Sequence, residues 1–425
     1  MKFHPISISF SPNTESDDVS LVLKLLFQPL KWQKGKAIKN LEETFKNYLG
    51  VNYAFSFNSG RSALLGILVS MGVQEEDEVL LQAFTCNAVV NPILTLKAKP
   101  VFVDIDDSLN LDPKDFKKKI TKNSRAVIIQ HTFGNSARIG EIKNICQKNN
   151  LFLIEDCAHS LGAEYEGKKV GSFGDAAFFS FGRDKVISSV YGGMAVTNNN
   201  QIGQKLEIFQ KTLDFPSRNW ILKQLLHPIS FAIALPLYSL KIGKAILFLK
   251  QNLKILSPSV YPEEKRGELP KYFPKKMPNA MAIMAQKQFQ KLERFNKHRK
   301  EIAEIYNREF ARINMPIYAD NRKFEKVRIC VNNGNTEKIY MRYSIFTERA
   351  NEIREKLKEK NIFLNDGWHS QAIVPPGTDL EKMQYQKGSC PKAEKVSKEI
   401  LNLPTSIKIT KKDAEKIIKE IKLII

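Results

Sequence analysis

Residues 151–199 read LFLIEDCAHSLGAEYEGKKVGSFGDAAFFSFGRDKVISSVYGGMAVTNN. Three apolar runs set the frame of this stretch: LFLIED (151–156), AAFFSF (176–181) and GGMAVT (192–197). Each is short and continuous rather than alternating, the pattern of strands buried on both faces. Reactive side chains stand at the ends of these runs. Glu155 and Asp156 close the first, Ser180 lies at the end of the second, and Lys185 follows in a polar turn. Ligands of doubly covered sheets gather beyond the carboxyl ends of strands. A carboxylate, a hydroxyl and an amine at neighbouring strand ends therefore frame a pocket for an anionic cofactor. Spacing alone is weak support for the lysine, since a lysine after a strand is more often a solvated loop residue.

The same alternation extends outward from about residue 36. LEETFKNYLG (41–50) reads as an amphipathic helix closed by Gly50, and YAFSF (53–57) as a strand. RSALLGILVSMG (61–72) is a helix, EVLLQ (78–82) a strand, NAVVNPILTLKA (87–98) helical, and PVFVDI (100–105) a strand. AVIIQHT (126–132) and LFLIED bracket the helix IGEIKNICQKNN (139–150). Strands separated by helices predict an α/β domain with a mostly parallel sheet over 36–215, preceded by an N-terminal segment, 1–35. QKQFQKLERFNKHRKEIAEIYNREFARI (286–313) reads as one long helix within a linking region, 263–313. Residues 314–425 read as a smaller α+β domain, with a strand near 341–346 and helices at 349–361 and 411–425.

The chain has 425 residues, 43% hydrophobic and 26% charged, values that exclude a disordered or collagenous protein. Cys86, Cys146, Cys157, Cys330 and Cys390 are odd in number and lack C-x-x-C spacing. They argue against a disulfide scaffold or a zinc site and point to a reducing cytoplasm. The opening MKFHPISISFSPN has no apolar run behind a basic start, so no signal peptide is expected. Lys+Arg 66 against Asp+Glu 45 gives +21, enough to attract anionic surfaces, although no nucleic-acid motif accompanies it.

Residues 216–262 interrupt the pattern. Arg218 to Ser259 holds six basic residues (Arg218, Lys223, Lys241, Lys244, Lys250 and Lys254) and no acidic one. Its longest uncharged apolar run, Pro228 to Leu240, is 13 residues with Pro236 inside. That is short of the roughly 20 residues a membrane span requires. Two readings stay open: an insertion lying in a membrane interface, with lysines toward anionic headgroups, or a helical insertion packed on its own core or on a partner subunit.

At 154–199 the sequence resembles the signature stretch of the DegT/DnrJ/EryC1/StrS family of pyridoxal-phosphate sugar aminotransferases, of the fold-type-I (aspartate aminotransferase) class. YLGVNYAFSFNSGRSALLGIL (48–68), EDEVLLQAFTCNAVVNPILTLKAKPVFVDID (76–106) and CPKAEKVSKEILNLP (390–404) are similar in order and spacing to further family motifs. The resemblance implies an α/β fold with a large pyridoxal 5′-phosphate domain and a smaller C-terminal α+β domain. It implies that Lys185 binds the cofactor aldehyde and later moves a proton. Asp156 would pair with the cofactor's ring nitrogen. The turn at Ser59-Gly60-Arg61-Ser62 would receive the phosphate on helix N–H groups, aided by the Ser180 hydroxyl.

Several positions depart from the family pattern. His159 stands where Gln is common, Cys86 where an aromatic residue stacks on the ring, and Arg61 where threonine is usual. Pro274-Lys275-Lys276 replaces an Asn-Tyr-Arg stretch that reaches the neighbouring subunit. Arg183, in the turn before Lys185, and His369, in LNDGWHSQ (364–371), are candidate substrate contacts. Lysine rather than histidine at 185 favours transamination over dehydration. The implied activity moves an amino group from an amino-acid donor, typically glutamate, to a keto-sugar carried on a nucleotide, in a homodimer. One alternative is an aminotransferase for a membrane-associated or lipid-linked sugar, held peripherally at the inner face of the membrane. Another is a non-catalytic cofactor-binding regulator or scaffold.

Overall fold

The computed structural model describes residues 4–253, 255–314, 328–330 and 336–425. Seven strands form the central sheet: β1 (Tyr53–Phe57), β2 (Glu78–Gln82), β3 (Lys99–Val103), β4 (Ser124–Gln130), β5 (Phe152–Asp156), β6 (Ala176–Ser180) and β7 (Gly193–Thr197). Their order is β1-β7-β6-β5-β4-β2-β3, and β7 alone runs against the rest. Nearly every residue of these strands is buried, as continuous apolar runs require when helices cover both faces.

The helix Ala37–Leu49 illustrates how the cover is made. Ala37, Leu41, Phe45 and Leu49 recur every fourth residue and form its buried face. Burying Leu41 and Phe45 contributes about 1.5–3 kcal/mol each. Gly50 ends the helix at φ 67°, a left-handed position open to a residue without Cβ.

A second core gathers around a three-stranded antiparallel sheet of Arg328–Ile329, Arg342–Phe346 and Ile400–Pro404. The helices Ala350–Glu359 and Lys411–Ile424 cover it, together with Ile302, Tyr306 and Phe310. The long helix expected over 286–313 is two helices, Asn279–Phe289 and Leu292–Asn314. The break turns Lys291 into the acidic group Glu15, Asp17 and Asp18. The first strand, Ile6–Ser7, pairs in parallel with Ile362–Phe363, so the N-terminal segment is tied to the C-terminal part.

The interruption at 216–262 is a helical pair, Arg218–Ala234 and Ile242–Asn252. The first packs Trp220, Ile221, Leu225 and Ala234 inward and lies against the helix Ser16–Leu26. The second buries only Gly243, where an added Cβ would meet the Ala234 carbonyl oxygen at 2.0 Å. Among the described residues, no helix is long and apolar enough to cross a membrane.

Candidate active site

Alternation along β5 sends its last two carboxylates to opposite faces. Glu155 accepts backbone N–H groups from Gly171, Phe173 and Gly174 at 2.8 Å each and lies 3.0 Å from Nε2 of His131. Burial pushes its carboxyl up, but the His131 contact and the loop amides outweigh that and leave it below the ordinary range. Asp156 is also buried but has far less support, a hydrogen bond from the Ala158 amide at 2.9 Å. Burial dominates there and pushes its carboxyl up to about 6, against the pull of that amide and of Lys185. Glu155 therefore holds a loop in place, while Asp156 is an acid short of a cation.

Asp156, His159, Ser180, Arg183, Lys185, Gly60, Arg61 and Cys86 all line one cavity of about 400 Å³. It opens beyond the carboxyl ends of β4, β5 and β6, where the α/β arrangement predicts it. Lys185 Nζ lies 2.9 Å from His159 Nε2. With the amine donating, the ring proton is assigned to Nδ1, a buried atom with no hydrogen-bond partner among the described residues. Burial, with Lys185 and Arg342 nearby, holds His159 far below the usual imidazole range, so the ring is neutral at physiological pH. It is stacked on Phe133 with centroids 5.3 Å apart and edged by Trp368 at 4.8 Å.

The lysine loop is held from outside the sheet. Asn13 Nδ2 donates to the Lys185 carbonyl oxygen. The buried Arg299 guanidinium donates to Asn13 Oδ1 at 2.9 Å and to the Val186 carbonyl at 2.7 Å. Arg342 bridges Asp184 at 2.6 Å and Asp366 at 2.8 Å, tying the loop to the smaller domain.

Ser59 caps the helix Gly60–Ser70, its hydroxyl oxygen accepting the Ser62 amide at 3.1 Å. A Cβ on Gly60 would sit 3.1 Å from the Ser180 Cβ, so the glycine keeps space between the helix start and the serine. The helix start also presses on β7: a Cβ on Gly193 would lie 2.4 Å from the Ser59 carbonyl carbon and oxygen. Those are backbone atoms and cannot swing away. Gly193→Ala is expected to destabilise the fold by about 2–4 kcal/mol, read as a lowered Tm. An unchanged Tm would mean the helix start yields easily.

Arg61, which stands where threonine is usual, puts a cation at this turn, and the fold turns that cation away to a carboxylate. Its guanidinium is paired with Glu264, which is fully buried, and donates to the Ser259 carbonyl at 3.0 Å. Its backbone amide stays at the helix start, while its charge pins the segment that closes the insertion. Cys86 lines the cavity on a two-residue strand that pairs in parallel with Ile373–Val374. His369 does not line the cavity. Its ring nitrogens face Ser370 Oγ at 2.6 Å and Asn365 Oδ1 at 2.9 Å. The neighbouring Trp368 lines the wall instead. Pro274-Lys275-Lys276 runs beside the chain's own β1, with Lys276 bridged to Phe57 and its Nζ on the Lys211 carbonyl.

Sequence reasoning missed Gln130, Tyr191, His227, Phe231 and Trp368 on the cavity wall. Gln130 ends β4, so the strand-end rule applied to β5 and β6 would have found it. No local pattern marks the others.

The donor set fits pyridoxal 5′-phosphate on three observations. Among the described residues Asp156 is a buried acid without an ion pair and His159 Nδ1 is an unpartnered donor, and the Gly60 helix start opens toward Ser180.

The model of the DegT/DnrJ/EryC1/StrS aminotransferase family matches residues 14–213 and 266–422, leaving 214–265, which holds the helical pair, unmatched. The chain is 29% identical over 417 residues to an uncharacterised protein, MJ1066, of Methanocaldococcus jannaschii, across 98% of this chain and 97% of that one. It is 39% identical over 173 residues to the GDP-perosamine synthase of Vibrio cholerae, across 40% of this chain and 47% of that enzyme. The chain thus spans about half the length of that named relative. The solved aminotransferase TlmJ from Streptoalloteichus hindustanus shares the fold, with a TM-score of 0.74 at 18% identity over 99% of this chain and 98% of that one. With both matched segments in chain order and the lysine loop and its acid inside the first, the chain belongs to the DegT/DnrJ/EryC1/StrS aminotransferase family and is a pyridoxal-phosphate enzyme.

Proposed function

We propose that the protein transfers an amino group from an amino-acid donor, glutamate by preference, to a keto-sugar carried on a nucleotide, and that it does so as a homodimer. The observation that carries this reading is the meeting of Lys185, Asp156 and His159 in one cavity with the Gly60 helix start. The name of the Vibrio cholerae relative, a synthase of a GDP-linked amino sugar, supports the substrate class. A non-catalytic scaffold is not favoured, because both the amine and the acid are present.

Bound in this cavity, the cofactor supplies an electron-withdrawing ring that stabilises negative charge at the donor's α-carbon. Asp156 keeps a proton on the ring nitrogen, and its carboxylate gains there the cation that burial otherwise denies it. The amides of Gly60 and Arg61 and the Ser180 hydroxyl receive the phosphate. Lys185 Nζ takes the α-proton and returns it. His159, neutral and held by Phe133, donates from Nδ1 to the ring hydroxyl.

Arg183 is the anion anchor. Its Nε is buried without a hydrogen-bond partner among the described residues, and its NH2 group donates to Ser257 Oγ at 2.8 Å. Asp184, the nearest acid in sequence, is taken by Arg342. Arg183→Gln is expected to raise KM for the anionic substrate about 10–100-fold with kcat changed little. An equal fall in kcat with KM unmoved would remove Arg183 from substrate binding. The reading as a whole is tested by incubating purified protein with cofactor, glutamate and a panel of nucleotide keto-sugars. Formation of 2-oxoglutarate that depends on one of those sugars is expected, and none with any of them would reject the reading.

A further inference from the structure

Six of the large apolar side chains left in solvent fall within 21 residues: Ile233, Leu240, Ile242, Phe248, Leu249 and Leu253. Such concentration is unlike the scattered exposure of an ordinary soluble surface. On the helix Ile242–Asn252 and its cap, Ile242, Ala245, Leu249 and Leu253 are spaced by three, four and four residues, which puts them on one stripe. Phe248, 67% exposed, and Leu249, 58% exposed, stand outward from that side. The opposite side rests on the first helix through Gly243.

The charges of the segment that carries this stripe are of one sign. Among the described residues, Arg218, Lys223, Lys241, Lys244 and Lys250 form no ion pair, and Arg218 to Ser259 holds no acid. Lys250 Nζ donates to the neutral Ser230 Oγ at 2.9 Å, and Lys244 Nζ lies 5.8 Å from the ring centres of Tyr238 and Phe363. Among the described residues these charges meet no carboxylate partner.

We propose that the helix Ile242–Asn252 docks the protein on an anionic lipid surface, with Phe248 and Leu249 entering the interface and the flanking lysines facing headgroup phosphates. Apolar insertion and phosphate attraction together match the basic, apolar character of this face. A second copy of the chain matches it poorly. A two-fold interface sets a patch against itself, which would bring these lysines onto lysines with no acid to receive them. The first helix of the pair places His227 and Phe231 on the wall of the cavity, so docking would hold the reaction chamber close to the bilayer.

The test uses the full-length holoenzyme and the variant Phe248→Glu/Leu249→Glu, whose side chains are exposed and lie outside the cavity. Wild type is expected to co-sediment at low salt with vesicles of equal phosphatidylglycerol and phosphatidylcholine, and to stay free of pure phosphatidylcholine vesicles. The variant is expected to bind the anionic vesicles about tenfold less or weaker still, with unchanged turnover. No binding by wild type, equal binding to both vesicle types, or equal binding by the variant each overturns the proposal. A wild-type dimer that the variant converts to a monomer, read by light scattering, also overturns it and assigns this face to a second copy.

Discussion

Lys185→Ala is expected to lower turnover at least about a thousandfold while leaving the protein folded and able to retain cofactor. Among the described residues no second lysine lines the cavity, and the neighbouring His159 is held neutral and packed between Phe133 and Trp368. That imidazole cannot swing to replace the amine. The groups expected to hold phosphate and ring nitrogen, Gly60, Ser180 and Asp156, stand on other segments and keep their places. Cofactor content after dialysis and single-turnover rates with glutamate check both halves of the claim. The visible absorbance of lysine-bound cofactor should vanish in the variant. Turnover within tenfold of wild type would show that another group moves the proton.

The second large effect concerns Asp156, and it has opposite signs with and without the cofactor. In the cofactor-free protein its carboxyl is raised to about 6 from an ordinary 3.8. Between those values the folded state binds more proton than the unfolded state, so stability falls as pH rises from about 4 to about 6. The shift corresponds to roughly 3 kcal/mol, forgone at neutral pH by ionising a buried acid. Asp156→Asn removes that cost. The cofactor-free variant should therefore melt above cofactor-free wild type at neutral pH, and the two should converge near pH 4. Adding cofactor should stabilise wild type more than the variant, because an amide gains nothing from a cationic ring nitrogen. Turnover should fall by about two to three orders of magnitude, since the amide cannot keep that nitrogen protonated. Melting curves across pH decide it; a variant less stable than wild type when both lack cofactor would contradict this account of Asp156.

The contrast between Asp156 and Arg61 shows what a sequence can carry. Asp156, Ser180 and Lys185 lie within 30 residues, and their exposure to one cavity follows from strand ends in a parallel sheet. That arrangement is local and periodic, so it was legible. The ion pair of Arg61 was not legible, because its partner, Glu264, is 203 residues further on. Arg299 and Asn13, which hold the lysine loop, sit on other elements and reach it only through tertiary packing. The loop at 364–371 has no period, and the reading there named His369, one residue past the run Asn365 to Trp368 that lines the wall. The insertion allowed two readings because its two helices behave differently. The first packs on the protein, and the second leaves its apolar stripe outside.

The pairing of Ile6 with Ile362 has a consequence for the order of assembly. The segment that starts with this strand also carries Asn13, which latches the lysine loop, and Ser9, which lines the cavity. During vectorial synthesis these first residues leave the ribosome long before their partner strand exists, and closing so wide a loop is slow. The wall of the reaction chamber, which runs from Ser9 to Pro375, is therefore complete only after the whole central sheet has been synthesised.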